Sequence, residues 1–526
     1  MIGEDFSRGA RSNVRPTWLS KRVLVFAVAT AVAIGVVIEI AVHRAEPVLK
    51  QRVLETLSTS FDSRVELDNF HVSIADGLAV SGKGLRIFPS AGGDETGMRP
   101  LITLGRFSFH VNLPGLFASP MHVGTVHVSH MKIDIPPRSA RAQGKRKAPM
   151  GKIRIVVQQI VFDDSQLVLE TDKPDKEPKE FDLKHIVMRD VGPNEPWLYD
   201  AALVNSIPAG NIHATGTFGP WTNESPGDSA VTGHYTFEHA DLDTIKGIGG
   251  VLSSVGDFKG RLDRIEVDGT TDTPDFSLDT AKYPMPLHTR FHAIVDGTSG
   301  DTYLDPVEAQ LGTSDFTCNG TVVNVKGKGH IIDLDADVPH GAVQDFLSLG
   351  VAARQAMMTG MLQMKAHLHI DPGEESVSKK MKLQGQFALS GIHFTDPVME
   401  DKVDMLSLRT SGHPKEAKPG APDVHSKMVG EFVMADGKVR FSKLNYALPG
   451  ATVELTGLYS LDGRQFDFSG KVRTDAKISQ MVATRWKSWL LKPVDPFFAK
   501  NGAGAVVPIR ISGTQSDPKF GLNLHH

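Results

Sequence analysis

Cysteine is nearly absent, with Cys318 the single example in 526 residues. One thiol closes no internal disulfide, so a disulfide scaffold and a cysteine-based zinc site are both excluded. A strong net charge is missing too. The 57 Lys and Arg nearly balance 61 Asp and Glu, leaving −4, which gives no whole-chain reason to expect nucleic acid or a strongly acidic substrate. At 40% hydrophobic residues the composition is too apolar for general disorder and not apolar enough for many membrane spans.

Sequence signatures of catalysis are lacking as well. There is no Gly-x-Ser-x-Gly elbow and no His-Glu-x-x-His helix. Gly77, Gly82 and Lys83 imitate a phosphate-binding loop, but Gly84 stands where Ser or Thr must hold magnesium, and the segment lies between alternating strands. Asp333, Asp335 and Asp337 imitate a calcium loop, yet Val338 replaces the turn glycine and Gln344 the closing glutamate. They read as a solvated strand face. His127 and His130, three apart in strand-like sequence, are expected on opposite faces and so unfit as paired metal ligands. No enzyme, metal or cofactor is implied. Asn223-Glu224-Ser225 and Asn319-Gly320-Thr321 fit glycosylation acceptors, a match too short to weigh outside a eukaryotic secretory protein.

What the chain does have is one apolar run, Val23 to Val42, between Lys21-Arg22 and His43-Arg44. Twenty residues at 1.5 Å rise span about 30 Å, the thickness of a bilayer core. The run is longer than a signal-peptide core and ends without a small-x-small cleavage site, which favours a retained anchor. Glu39 lies within a turn of the far end and reaches the interface. Arg8, Arg11, Arg15, Lys21 and Arg22 precede the run, against Arg44, Lys50 and Arg52 after it. The bias places the N-terminus in the cytoplasm and the remaining mass outside. Val48, Leu49, Val53, Leu54 and Leu57 behind Pro47 then predict a short helix.

After Phe61 the period changes to two. Val65 and Leu67, Phe70 and Val72, Val80, Leu85 and Ile87, Phe107 and Phe109, and Val126 and Val128 alternate with polar residues, and the theme recurs to the C-terminus. It predicts a meander of half-buried strands. Strand-to-helix transitions are expected near Leu242 to Leu252, after Val343, and near Ile478 to Leu491. Ile265 to Leu278 matches Ile509 to Leu522 at identical spacing, including Gly269-Thr270 with Gly513-Thr514 and Pro274 with Pro518. The repeat reads as strand, Gly-Thr turn, strand. Arg138 to Lys147 and Gly412 to Pro422 read as exposed loops. The organisation is therefore 1–22 cytoplasmic, 23–42 transmembrane, 43–60 juxtamembrane helix, and two β-rich regions over 61–260 and 261–526.

The anchor leading into Glu46-Pro47-Val48-Leu49, followed by Val65-Glu66-Leu67 and Gly82-Lys83-Gly84-Leu85-Arg86-Ile87, resembles the start of AsmA-family envelope proteins. The C-terminal end resembles the AsmA-like C-terminal region in Pro449-Gly450-Ala451, the run Leu491 to Phe498, Gly502-Ala503-Gly504 and Pro508 to Thr514. The resemblance covers most of the chain after residue 21 and rests on turns and strand ends. It implies a bacterial inner-membrane-anchored, periplasmic protein whose long curved antiparallel-rich sheet forms an apolar groove. It also implies kinship with bridge-like lipid-transfer proteins and outer-membrane biogenesis, with no catalytic residues to carry over.

A one-sided sheet must be covered by a second layer, close on itself, or face an apolar ligand. Roughly 20 to 25 strands at about 4.8 Å give a sheet on the order of 100 Å long, beyond what open sheets tolerate without curling. Two readings stay open for its apolar face. Phe107, Phe109, Val126, Val128, Ile265, Val267, Ile332, Leu334, Val453, Leu455, Ile509 and Ile511 line a lipid groove, or they fill a sandwich core. Near the C-terminus, Trp486, Trp489, Phe497 and Phe498 interleave with Lys487, Lys492 and Lys500. That mixture suits a membrane interface or an end cap. The expected partners are the inner membrane, through 23–42, and phospholipid or another envelope lipid; the alternative is a structural factor that supports outer-membrane protein assembly through its sheet edges. A phosphatase reporter fused after Phe61 is expected to be active outside the cytoplasm, on a mature chain that keeps its N-terminus. Cytoplasmic activity, or mature chains starting at Arg44, would overturn the anchor.

Overall fold

The structure, a computed structural model, describes residues 32–33, 44 and 46–522, apart from 60–62, 74–77, 89–98, 112–120, 136–154, 171–175, 177, 193–194, 221–227, 280–282, 351–354, 462–464, 500–503 and 515–516. The expected span over 23–42 lies outside these residues but for 32–33. Among the described residues no helix is long and apolar enough to cross a membrane.

The chain is mainly β, with 65% in strands and few helices, and its long strands join one sheet curled as a half-barrel. From Val65–Ser73 to Asp517–Leu522, strands pair with their sequence neighbours. The pattern continues to the C-terminus. The pairs are antiparallel except Met121–Ile135 with Ile155–Leu169, which run parallel and so need a crossover between Ile135 and Ile155. The two-residue strand Ile248–Gly249 pairs outside this order, with Arg264–Leu278. Pairing is unbroken across residues 260 and 261, where Val251–Arg261 turns into Arg264–Leu278.

A helix over 46–59, where the sequence predicts one, buries Leu49 and Val53 and packs Leu54 and Leu57 against the first strands. Near Leu242 the expected helix is only a 3-10 turn, Leu242–Thr244, and Val251 already begins a strand. The repeat also divides. Its second copy is a hairpin, Ala505–Thr514 with Asp517–Leu522, but its first runs on as one strand, Arg264–Leu278. Gly269 there is no turn; it pairs with Phe291. Pro274 falls where the register shifts, the place a strand tolerates a residue without N–H.

The first six strands share a crease. Same-face residues are normally two apart, yet here they step by three: Leu67 to Phe70, Gly82 to Leu85, Leu104 to Phe107, Val128 to Met131, Phe162 to Ser165, Leu183 to Ile186. At each step the ladder skips a residue, in turn Asp68, Gly84, Gly105, His130, Asp164 and Lys184. Gly84, His130 and Asp164 take φ of 69°, 57° and 45°, the left-handed region that Gly, Asp and His enter more readily than other types. The crease keeps both halves of these long strands apolar on one side. It also corrects the expectation for His127 and His130: the step at His130 leaves both exposed on the outer side.

Glycine and aromatic residues alternate across neighbouring strands of the apolar side. Gly82 pairs with Phe107, Gly216 with Tyr199, Gly233 with Phe258, Gly256 with Tyr235, Gly269 with Phe291, Gly430 with Phe387 and Gly457 with Phe468. In every pair but that of Gly216 the ring lies over its glycine. A Cβ at Gly269 would sit 2.9 Å from Phe291 Cζ, and one at Gly430 2.7 Å from Phe387 Cε1. Gly269→Ala and Gly430→Ala are each expected to cost about 1–3 kcal/mol through overpacking, seen as a lower Tm. Gly521→Ala, where nothing lies within 4 Å, serves as the control, and equal loss in all three would refute the ring-over-glycine account.

Candidate functional site

Register carries one face through the sheet. Phe107 opposes Val128, and the row continues through Phe162, Ile186, Ala201, Ala214, Tyr235 and Gly256 to Gly269. Val267 lies on the same side and opposes Ala293, which leads through Leu304 and Gly320 to Leu334. Further pairs, Met364 with Phe387, Gly430 with Leu444, then Leu455, Gly470 and Ile509, extend it to the last strands. All twelve candidate lining residues therefore share one face. Phe107, Phe109 and Val128 are buried, while Val126, Ile265, Val267, Ile332, Leu334, Val453, Leu455, Ile509 and Ile511 are half-buried.

Five of the twelve, Phe107, Phe109, Val126, Val128 and Ile265, line one cavity of about 560 Å³. It runs from Val53 and Leu57 of the 46–59 helix, over the first strands, to Leu262, Ile265 and Gly297. Sequence reasoning missed most of the other lining residues, including Trp197, Tyr199 and Phe218, although their strands alternate as clearly. The lining carries only two side chains with polar atoms, and the sheet satisfies both. Trp197 Nε1–H donates to the Gly192 carbonyl at 2.8 Å, and Tyr199 O–H donates to the Thr232 carbonyl at 3.1 Å. Burial pushes the Tyr199 phenol well above its ordinary pKa, so it stays neutral and bonded. A roomier cavity, about 850 Å³, is lined by Asp272, His288, Arg290 and Glu308 among others. In it His288 pairs with Asp272 at 2.6 Å.

Val343–Gly350 covers part of the apolar face further along, where Val343, Phe346 and Leu347 pack with Leu362, Leu389 and Ile392. The C-terminal candidates fall on Arg485–Leu491, Lys492–Val494 and Asp495–Phe498. Trp489 is 70% and Leu490 56% exposed, beside exposed Lys487 and Lys492. Phe498 is half-buried. Lys500 and the side chains of Trp486 and Phe497 lie outside what is described.

The opposite face is polar and laced with pairs between neighbouring strands. His185 bonds Asp163 at 2.7 Å, His213 Asp200 at 2.8 Å, His234 Asp257 at 3.0 Å and His292 Asp268 at 2.8 Å. Asp333, Asp335 and Asp337 face His369, His367 and Lys365 at 3.0, 2.9 and 2.9 Å. Among the described residues no group of three or more potential ligands could hold a metal ion. No family model, curated protein or solved structure matches this chain.

Asp333, and then Asp371, raise the pKa of the His369 imidazole. Lys382 first, and then His369, lower that of Asp371. The His369 contribution to stability is thus full below the unfolded imidazole pKa of about 6.5 and fades as pH rises through the raised value. The Asp371 contribution is present above about 3.9 and fades as pH falls through the lowered one. In an NMR titration His369 is expected to deprotonate above the ordinary imidazole range, and Asp333→Asn to bring it back down. An unmoved midpoint would show that the pair does not form in solution.

Proposed function

We propose that this chain binds the hydrocarbon part of a lipid in the 560 Å³ cavity and passes lipid along the apolar face. The observation that carries the reading is the lining itself, whose only two polar side-chain groups are already bonded to the sheet backbone. A peptide in this cavity would leave its own N–H and C=O groups unpaired, at a cost of several kcal/mol each in an apolar medium. A hydrocarbon chain has no such groups. Phospholipid or another envelope lipid fits, with the head group kept in water. Retention at the inner membrane by residues 23–42, and a contribution to outer-membrane biogenesis, complete the proposal as the AsmA resemblance implies. The exposed Trp489, Leu490, Lys487 and Lys492 suit contact with a membrane surface, where rings sit at head-group depth and ammonium groups meet phosphates. The role is binding and transfer, not catalysis.

A second reading has one observation behind it. Strand Asp517–Leu522 is paired on one side only among the described residues, which leaves an edge for strand addition by an envelope protein. Photo-crosslinkers separate the two. At Phe107 and Phe109, both buried in the lining, capture of lipid is expected; at exposed Arg106 and Ser108, one residue over and on the other face, none is. Equal capture at all four positions, or none at any, would remove the lipid path and leave the edge.

A further inference from the structure

In a meander, connections alternate between the two rims of the sheet. Counting along the sheet without Ile248–Gly249, Lys176 follows the fifth strand, 242–250 the ninth and Asp279 the eleventh, all on one rim. Residues 296–301 follow the twelfth strand, 326–328 the fourteenth and 371–380 the sixteenth, all on the other. In a flat sheet these rims are a strand's length apart.

Here they touch. The Val377 N–H donates to the Lys246 carbonyl at 3.0 Å, and Ser376 Oγ donates to Asp279. Val377 is buried at this junction, and a Cβ at Gly247 would lie 2.6 Å from its nitrogen. Further back, Lys176 Nζ reaches Asp301 at 2.8 Å with both side chains almost wholly buried. It also donates to the Asn324 carbonyl, while Asn324 N–H donates to Asp301 at 3.1 Å. The connection after the fifth strand meets that after the twelfth, seven strands on, and the connection after the sixteenth meets those after the ninth and the eleventh, seven and five strands back. Ends joined with such a stagger mark a sheet rolled on itself. The cavity agrees, since its wall holds Leu169 and Phe181 from the first rim and Leu262 and Gly297 from the second.

We infer that the sheet is rolled into a tube sealed by a diagonal rim-to-rim seam, and that a hydrocarbon ligand travels end-on through it instead of entering sideways between the rims. The inference rests on the lipid reading for its ligand but not for its seam. Removing either member of the Lys176–Asp301 pair would strand a charge in a nearly dry place, so a crosslink is the better probe. In the full-length protein with Cys318→Ser, Lys246→Cys and Glu375→Cys should be joined by a short bis-maleimide, whereas Lys246→Cys with Lys438→Cys, on a strand far along the sheet, should not. The joined protein, carrying a photo-crosslinker at Phe107 and mixed with phosphatidylglycerol vesicles, should capture phospholipid within about twofold of the unjoined protein. Failure of the first pair to join overturns the seam. Joining followed by at least a tenfold loss of capture overturns end-on passage, because the rims would then have to part. Joining with no capture in either form condemns the lipid reading, and end-on passage with it, and leaves the seam standing.

Discussion

A sheet that is apolar on one side and that, among the described residues, only short helices cover in part must curl towards that side, and the rest of this molecule follows from that constraint. Burying a large apolar side chain is worth about 1.5–3 kcal/mol, and each candidate lining residue gains part of it only as the sheet bends. Bending crowds the inner face. The glycines opposite Phe107, Phe258, Phe291, Phe387 and Phe468 make the room, letting a ring lie across the next strand where two large side chains would collide. Curl and composition are thus one fact seen twice.

The outer face meets the opposite demand. It spreads as the inner face contracts, and it carries pairs that bridge neighbouring strands: His with Asp along much of the sheet, Lys471 with Glu454, Arg510 with Asp467. Exposed pairs of this kind contribute little each, typically under 1 kcal/mol. Their value lies in register, because a slip by one residue would turn every apolar side chain outward. The crease across the first six strands serves register as well. By skipping one residue at the same level in each strand, it bends the strands without exchanging their faces.

Helices sit at the margins. Val343–Gly350, Pro397–Thr410 and Arg485–Leu491 follow the fifteenth, seventeenth and twenty-first strands in sheet order, which places them on one rim. Pro397–Thr410 is fixed at its start by Pro397 and by Asp396, whose carboxylate accepts the Val398 N–H at 2.8 Å, a standard helix start that the alternating strands on either side obscure. The opposite rim carries the short turns 262–263, 326–328 and 436–437 and the single-turn helix Val377–Lys380. The sheet also differs along its length, with the 46–59 helix near one end and the exposed Trp489 and Leu490 near the other.

Period-two alternation determined the strand class, the approximate strand number and the one-sidedness of the sheet, because side-chain direction in a strand is a local property of the backbone. The 46–59 helix was legible for the same reason, from Leu49, Val53 and Leu57. The three-residue steps were also written in the chain, as Leu104 to Phe107 and Val128 to Met131, but they carry meaning only when six of them align. Which apolar residues gather in one cavity was not legible. Ile265 and Phe107 belong to strands far apart in sequence, and only the roll brings them together. Nor does local pattern say whether Gly269 makes a turn or yields to Phe291, since the same Ile-x-x-x-Gly-Thr spacing gives a hairpin at Gly513 and a continuous strand at Gly269. The meeting of Lys246 with Val377, and of Lys176 with Asp301, was decided by tertiary structure alone, because the stagger that joins two rims is a sum of small twists over several strands that no single segment encodes.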